Sequence, residues 1–210
     1  MGFVIAGGKS SRMGELGDKT FLQFDGQTLL HRALTTLEAV SDRVAIVGDP
    51  AKFGEKFGEK SGEKSGESAA EKCQSIVADI FPGCGPLGGI HAALRYSPAD
   101  LNLMLAVDMP FVSRALLAFL FATAQGNHAT ITVPRVGNRL QPLCAVYRRQ
   151  FAAVAERSLR AGNYKLDAAF SDVPTYLIEA EELAAAGFSE NVFFNVNTPQ
   201  DRRTAEERSF

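Results

Sequence analysis

The sequence predicts an α/β fold built on a mostly parallel sheet with helices on both faces. Short apolar runs rich in β-branched residues alternate with longer segments whose apolar residues recur at helical spacing. In the first such segment, Leu30, Leu34 and Leu37 share one helix face, as expected for a helix packed on a sheet. The predicted strands cover residues 3–6, 43–47, 75–78, 102–107, 129–133, 143–147 and 175–178.

Composition places this fold in one soluble domain, which we expect to span residues 1–210. The chain has 210 residues, is 46% hydrophobic and carries a net charge of −2, so no basic field favours nucleic acid. The longest apolar stretch, residues 115–122, is too short to cross a bilayer, and no secretory signal opens the chain. Three scattered cysteines without paired spacing are typical of reduced thiols. A cytoplasmic protein without a membrane partner is therefore expected.

The first predicted strand runs into a glycine-rich loop. Residues 4–19 contain four glycines and three cations, which are Lys9, Arg12 and Lys19. Glycine lets main-chain N–H groups turn toward an anion, and lysine and arginine add positive charge where phosphate oxygens would lie. The pattern favours a phosphate-binding loop, with a plain glycine-rich turn as the alternative.

Two common phosphate loops do not match this segment. Gly8-Lys9-Ser10 resembles the end of a Walker loop, but that motif requires a glycine five positions before the second one, where this chain has Phe3. The dinucleotide pattern Gly-x-Gly-x-x-Gly is also absent. The spacing therefore argues against a GTPase switch and against a dinucleotide-binding enzyme.

Three further candidate residues directly follow predicted strands, namely Gly7, Asp79 and Asp108. Because ligands of such folds bind beyond the carboxyl ends of the strands, we expect all three at one edge of the sheet. A carboxylate at the end of a buried strand suits Mg²⁺, so Asp108 is the candidate metal ligand. A helix cap is its alternative role, although Ser113 is better placed to cap the next helix. Asp79 has a turn before Pro82 as its alternative.

The order of the motifs identifies a family. Ile5-Ala6-Gly7-Gly8, Ser11-Arg12-Met13-Gly14 and Asp18-Lys19 resemble the signature of nucleotidyltransferases that activate small phosphorylated metabolites. Within that superfamily the chain most resembles the molybdenum cofactor guanylyltransferases. Three later segments support this, and they are Gly85-Pro86-Leu87-Gly88-Gly89-Ile90, Val107-Asp108-Met109-Pro110 and Asn195-Val196-Asn197-Thr198-Pro199. The match runs from residue 2 to about residue 203, apart from one insertion.

The resemblance implies a three-layer, Rossmann-like nucleotidyltransferase fold and a Mg²⁺-dependent reaction. GMP would pass from GTP to molybdopterin or its molybdenum-loaded form, and pyrophosphate would leave. The family pattern assigns Lys19, Asp108 and Arg12 to catalysis and Asp108 to the metal. It assigns nucleotide binding to Ile5, Ala6, Gly7, Gly8, Lys19, Asp79 and Asp108. It assigns the pterin to Gln141, Asn195 and Asn197, with Arg135, Arg139 and Pro142 nearby.

Two features depart from the family pattern. Gly48 stands where related enzymes often carry an asparagine that contacts the nucleotide. Residues 53–68 repeat a four-residue unit with interior glycines, each costing a helix about 1 kcal/mol against about 0.2–0.5 kcal/mol gained per ion pair. We therefore expect a solvated, flexible insertion, with a charged interaction element as the alternative.

Several functions remain open from the sequence. The expected partners are GTP, the pterin, and proteins of molybdenum insertion and molybdoenzyme maturation. The alternatives are a cytidylyltransferase for the same pterin or another small-metabolite nucleotidyltransferase, and a carrier that binds nucleotide or cofactor without catalysis. The retained Lys19 and Asp108 argue against the carrier.

Overall fold

The computed structural model describes residues 1–7, 19–53 and 73–208, with the main chain alone at 19, 73, 74 and 208. Its strands are β1 (Gly2–Ile5), β2 (Gln23–Phe24), β3 (Gln27–Thr28), β4 (Val44–Val47), β5 (Cys73–Val77), β6 (Leu101–Ala106), β7 (Ile131–Val136), β8 (Arg139–Leu140), β9 (Cys144–Arg148) and β10 (Thr175–Ile178). Its α-helices are α1 (Leu29–Glu38), α2 (Pro86–Tyr96), α3 (Arg114–Gln125), α4 (Phe151–Arg160), α5 (Leu166–Phe170), α6 (Ala180–Ala185) and α7 (Pro199–Arg208). Short 3₁₀ turns cover Lys19–Phe21 and Glu190–Phe193.

The main sheet has the strand order β10-β7-β9-β6-β1-β4-β5. β1 pairs in parallel with β4 and β6, β4 with β5, and β7 with β10. β9 runs antiparallel to both of its neighbours, and β8 forms a hairpin with β7. A separate two-stranded ribbon joins β2 to β3. The prediction of a mostly parallel sheet is confirmed.

Alternating residues of the strands fill two cores, one on each face of the sheet. In β1, Val4 points into the core that α1 and α3 cover, while Phe3 and Ile5 point into the core beneath α2 and α4. All three side chains are buried. Successive side chains of a strand point to opposite faces, so a strand covered on both sides is apolar throughout. The three-layer architecture is confirmed.

Helix starts follow the local sequence. The Oγ1 atom of Thr28 accepts a hydrogen bond from the main-chain N–H of His31 and caps α1. Ser113 Oγ accepts from the N–H of Leu116 at 3.2 Å and caps α3. Ser113 therefore has the capping role that the sequence offered as an alternative for Asp108.

The ends of the predicted strands differ from the observed ones by at most three residues, and β9 departs from the parallel arrangement. Only residues 137–143, which include the short strand β8, lie between the end of β7 and the start of β9. A parallel crossover needs about a dozen residues or more, so a chain that returns this quickly must enter the sheet antiparallel. The short spacing between the predicted strands 129–133 and 143–147 could have indicated the antiparallel direction.

Phe53 differs from the expectation for residues 53–68. Its side chain is fully buried in the core beside α1, so a solvated segment cannot begin before residue 54. The remainder of the predicted insertion lies outside the described residues. Within the described part of the chain, no helix has the length and apolar character that a bilayer crossing requires.

Candidate functional site

Four neighbouring strands end at one edge of the sheet. Three main-chain hydrogen bonds extend their pairing beyond the strands: Ala6 N to Val47 O at 2.9 Å, Gly48 N to Val77 O at 3.0 Å, and Val107 N to Ile5 O at 3.2 Å. The residues that follow these strand ends are Gly7, Gly48, Asp79 and Asp108. The expectation that the candidate residues share one edge is confirmed for those that the structure describes.

The loop after β6 holds Asp108 in a fixed position. The Asp108 residue is 7% exposed, and its carbonyl oxygen accepts a hydrogen bond from Val196 N at 2.9 Å. Two residues on, the carbonyl oxygen of Pro110 accepts from Arg32 Nε at 2.6 Å. The loop is therefore fastened from two distant parts of the chain, which orients the carboxylate-bearing residue.

The bond to Val196 brings the asparagine pair to the same place. Val196 is fully buried, whereas Asn195 is half-buried and Asn197 is exposed. Asn195 Nδ2 donates to the carbonyl oxygen of Phe193 at 3.2 Å, and Asn197 N donates to Asp201 Oδ2 at 3.0 Å. The segment is therefore ordered by its own hydrogen bonds, and both asparagines flank a residue that is bonded to Asp108.

The link between β8 and β9 reaches this edge as well. Gln141 N donates to Pro134 O, and Gln141 O accepts from Cys144 N, each at 2.9 Å. Leu143 O then accepts from Ala106 N at 2.7 Å, two residues before Asp108. Gln141 is half-buried and lies near the end of the strand that precedes Asp108.

Asp79 lies against the first turn of α2. Its Oδ1 atom accepts from Phe81 N at 2.9 Å. A Cβ atom at Gly88 would lie 3.0 Å from Asp79 Oδ1 and 3.0 Å from the carbonyl oxygen of Phe81. Glycine at position 88 is what allows the carboxylate to approach the helix so closely. Gly85 has φ near +70°, which fits the turn that enters the helix.

The charge state of Asp79 is set by its surroundings. Burial raises the pKa of the Asp79 carboxyl, and the Phe81 N–H and nearby His91 partly oppose that effect. His91 is 1% exposed, and Glu156 Oε2 lies 3.6 Å from its Nε2 atom, which is longer than a hydrogen bond. Burial lowers the pKa of His91, and Glu156 opposes that shift. At neutral pH the His91 imidazole near the Asp79 carboxylate is therefore uncharged.

The structure describes only some of the other residues that were predicted to bind the nucleotide. Ile5 and Ala6 are buried, so any contact that they make with a nucleotide would come from main-chain atoms. Gly7 is exposed, and nothing lies within 4 Å of a Cβ added to it. Gly8, Arg12 and the side chain of Lys19 lie outside the described residues.

The described donor set limits what kind of metal site this edge can form. No group of three or more His, Cys, Asp and Glu side chains is clustered within residues 1–7, 19–53 and 73–208. Mg²⁺ commonly takes one or two protein carboxylates and completes its octahedron with phosphate oxygens and water. The buried Asp108 fits that mode of binding, in which the substrate supplies many of the ligands.

A cavity of about 800 Å³ opens beside the β7–β8 hairpin. Its lining includes Arg135, Arg139, Pro142 and Lys165. Arg135 forms a two-point ion pair with Glu179, at 2.8 Å and 2.6 Å, so part of its charge is already satisfied. The sequence interpretation named the two arginines, but it missed Lys165, which reaches the cavity from the segment before α5.

Several known proteins are similar to this chain over most of its length. Among curated relatives, a "probable molybdenum cofactor guanylyltransferase" from Pelotomaculum thermopropionicum is 34% identical, with 95% of this chain and 88% of the relative covered. A "molybdenum cofactor guanylyltransferase" from Desulfosudis oleivorans is 29% identical, with 98% and 93% covered.

The fold and the family model agree as well. A solved structure titled molybdopterin-guanine dinucleotide biosynthesis protein A, from Archaeoglobus fulgidus, superposes with a TM-score of 0.80 at 26% identity, and 99% and 97% of the two chains are covered. The model of the MobA-like NTP transferase domain matches residues 2–173. The chain therefore belongs to the family of MobA-like NTP transferase domains.

Proposed function

We propose that this protein is a molybdenum cofactor guanylyltransferase, which transfers GMP from GTP to molybdopterin or its molybdenum-loaded form. The observation that carries the proposal is the hydrogen bond from Val196 N to Asp108 O. It joins the nucleotide side of the edge to the asparagine pair on the acceptor side. The printed names of the relatives support the same activity.

The nucleotide is proposed to lie over the ends of β1 and β5. Asp79 would accept hydrogen bonds from the ring N–H and exocyclic amino group of guanine, which together distinguish this base. Main-chain atoms at Gly7 and Gly8 would approach the phosphates, and Arg12 and Lys19 would neutralise them. Because the loop is glycine-rich, its N–H groups can approach an anion without a clash from a side chain.

Asp108 is proposed to hold the metal. Mg²⁺ bound there would neutralise charge that develops on the triphosphate and on the leaving pyrophosphate. The Asp108 carboxylate is well suited to this role because the hydrogen bonds at Asp108 O and Pro110 O fix its main chain before substrate binds.

The acceptor is proposed to reach this edge from the side of the β7–β8 hairpin. Arg139 and Lys165 would hold its anionic groups in the cavity, while Gln141, Asn195 and Asn197 would hydrogen-bond the polar pterin edge. These residues belong to different segments that the sheet brings to one edge. The protein would therefore hold both substrates at once.

The reaction needs no covalent enzyme intermediate. An oxygen of the acceptor's terminal phosphate attacks the α-phosphorus of GTP, and the bond from that phosphorus to the bridging oxygen of the β-phosphate breaks. Pyrophosphate leaves with that oxygen. A phosphate nucleophile is already ionised at neutral pH, so no general base is required. Alignment of the two substrates and stabilisation of charge supply the catalysis.

The test is a panel of nucleotides. Purified protein with Mg²⁺ and molybdopterin is incubated with GTP, CTP, ATP or UTP, and both pyrophosphate and dinucleotide product are assayed. Product with GTP alone is expected. Product with CTP alone would replace the guanylyl assignment by a cytidylyl one, and nucleotide binding without product would favour a carrier. Release of GDP would overturn the proposal altogether.

Asp108 provides the matched variant. Asp108→Asn keeps the side-chain shape and the main-chain bond to Val196 but removes the negative charge. Turnover is expected to fall by at least about a hundredfold, the order seen when a group that stabilises charge in the transition state is removed, while Tm stays close to that of wild type. If Asp108→Asn turned over at the wild-type rate in excess Mg²⁺, the assignment of Asp108 to the metal would be rejected.

The cellular setting belongs to the same proposal. GTP and molybdopterin are expected as substrates in the cytoplasm, and maturation proteins of molybdoenzymes are expected to receive the product.

A further inference from the structure

Two segments that follow different strands meet beside the candidate site. One is the 3₁₀ turn Lys19–Phe21, and the other is the helical turn of residues 50–53. Lys52 Nζ donates a hydrogen bond to Thr20 Oγ1 at 2.9 Å, and Thr20 is 1% exposed. We call this contact, with the two aromatic rings described next, the lysine clasp.

Aromatic rings hold the ammonium of the clasp in place. Lys52 Nζ lies 4.8 Å from the centre of the Phe53 ring and 5.8 Å from that of Phe21. The two rings lie 6.1 Å apart at an angle of 50°. Cation–π contacts of this length favour one position of the ammonium, so the donor to Thr20 is directed before any ligand arrives.

The turn that carries Lys52 is itself anchored. Asp49 O accepts from the N–H groups of Lys52 and Phe53, at 3.1 Å and 3.3 Å, and Asp49 Oδ1 accepts from Ala51 N. Phe53 is fully buried, and a Cβ at Gly48 would lie 2.6 Å from its ring. The turn therefore packs tightly onto the end of β4, and these contacts hold the main chain of Lys52 in place.

The other side of the clasp leads directly to Lys19. Thr20 is the next residue, and Leu22, which lies just before β2, accepts a hydrogen bond at its carbonyl oxygen from Leu29 N at 3.0 Å. The bond at Thr20 therefore restrains the main chain directly after Lys19. A shift of that main chain would move the lysine that, on the proposed function, neutralises the triphosphate.

We propose that Lys52 is a positioning residue, which fixes Lys19 through the hydroxyl of Thr20 and so contributes to nucleotide affinity. This role rests on the proposed function, in which Lys19 contacts the phosphates. It does not require Lys52 to touch substrate.

The test measures nucleotide affinity directly, by equilibrium titration, with whichever nucleotide wild type turns over. Lys52→Met keeps the alkyl chain but removes the donor, and Thr20→Val removes the acceptor. Each is expected to weaken binding by about tenfold, the loss expected for one charge-assisted hydrogen bond, and the pair together by no more than either alone. Lys52→Arg retains a donor and a cation over the rings, and should bind within about threefold of wild type.

A second cycle separates positioning from general stability. In a Lys19→Ala background, Lys52→Met is expected to have no further effect on affinity, because the group that it positions is absent. A structural role would instead lower Tm and reduce affinity in both backgrounds. Arg203→Met, which removes an exposed cation from α7, is the charge-matched control and should bind as wild type does.

Two results overturn different statements. Equal affinity of Lys52→Met and wild type, or full additivity with Lys19→Ala, rejects the positioning role. Turnover with a base other than guanine rejects the proposed specificity but leaves the positioning role to be judged by the same titrations.

Discussion

Val196 donates its main-chain N–H to the carbonyl oxygen of Asp108 at 2.9 Å, and this bond connects the carboxyl end of β6 to a segment near the end of the chain. Val196 is fully buried, so solvent does not compete for the bond. The candidate metal ligand and the asparagines at 195 and 197 therefore depend on one another for position. We expect changes in one to affect both substrates.

Replacement of Val196 tests this dependence. Val196→Pro removes the N–H that Asp108 O accepts, whereas Val196→Ala keeps the N–H and only leaves a small cavity costing about 2 kcal/mol of stability. We expect Val196→Pro to lower kcat by at least about tenfold, in line with the loss of a buried hydrogen bond that orients the loop bearing the candidate metal ligand. Val196→Ala should keep kcat within about threefold at temperatures well below its Tm.

Steady-state rates at saturating substrates, with circular dichroism as a check on folding, distinguish the two variants. An equal loss of kcat in both folded proteins would show that packing, and not the hydrogen bond, supports the site.

Two adjacent glycines of α2 offer an internal comparison. A Cβ at Gly88 would lie 3.0 Å from both Asp79 Oδ1 and the carbonyl oxygen of Phe81, and a main-chain carbonyl cannot move aside cheaply. A Cβ at Gly89 would lie 3.4 Å from a methyl carbon of Ile5, which is close to ordinary packing. Gly88→Ala is therefore expected to weaken GTP binding about tenfold or more, because it displaces the Asp79 carboxylate that is proposed to accept hydrogen bonds from guanine.

Gly89→Ala is the control for that comparison. It should bind GTP as wild type does and should melt at the same temperature or higher, because alanine favours a helix over glycine by about 1 kcal/mol. Isothermal titration with GTP gives both affinities. Equal affinities for the two variants would remove the assignment of Asp79 to the base.

Part of this site could be predicted from the sequence, because parallel strands all have their carboxyl ends at the same edge of the sheet. Gly7, Asp79 and Asp108 each follow an apolar run, and parallel strands bring such residues together without any knowledge of side-chain packing. The bond between Val196 and Asp108 follows from no local pattern. It joins residues far apart in the chain, and only the packing of the final segment against β6 creates it.

The sequence did not predict the burial of Phe53, for a different reason. Phe53 begins a run in which its neighbours repeat glycine, glutamate and lysine, so composition assigned it to solvent. The signal lay in Gly48, whose missing side chain leaves space that the phenyl ring fills. A glycine at the end of a strand and an aromatic residue five positions later were complementary, but neither indicates the other in isolation.

His91 makes stability depend on pH. Burial lowers its pKa, with Arg95 acting in the same direction and Glu156 and Asp79 opposing it. In the unfolded chain the imidazole binds a proton below its ordinary pKa of about 6.5, while the folded protein resists protonation until a lower pH. The unfolded state therefore binds more protons in this window, and stability falls as pH drops below about 6.5.

His91→Phe is expected to flatten this dependence. The phenyl ring retains the edge-on contact with Phe81, whose ring centre lies 5.2 Å from that of His91, and it cannot be protonated. Melting from pH 7.5 down to pH 5 should show a smaller decrease in Tm for the variant than for wild type. The prediction fails if the two decreases are the same.

Gly48 gives the most direct test of the packing beside the site. A Cβ at this position would lie 2.6 Å from Phe53 Cε2, and Phe53 is fully buried. Gly48→Ala should therefore destabilise the protein by about 1–3 kcal/mol, the usual cost of overpacking.

Phe53→Leu replaces the phenyl ring with a smaller side chain, so Gly48→Ala should cost less stability in that background. Urea unfolding of the wild type, both single variants and the double variant gives the coupling between the two positions. Additive losses would mean that the ring moves aside freely. Coupled losses would show that Phe53 fills the space that a side chain at position 48 would need.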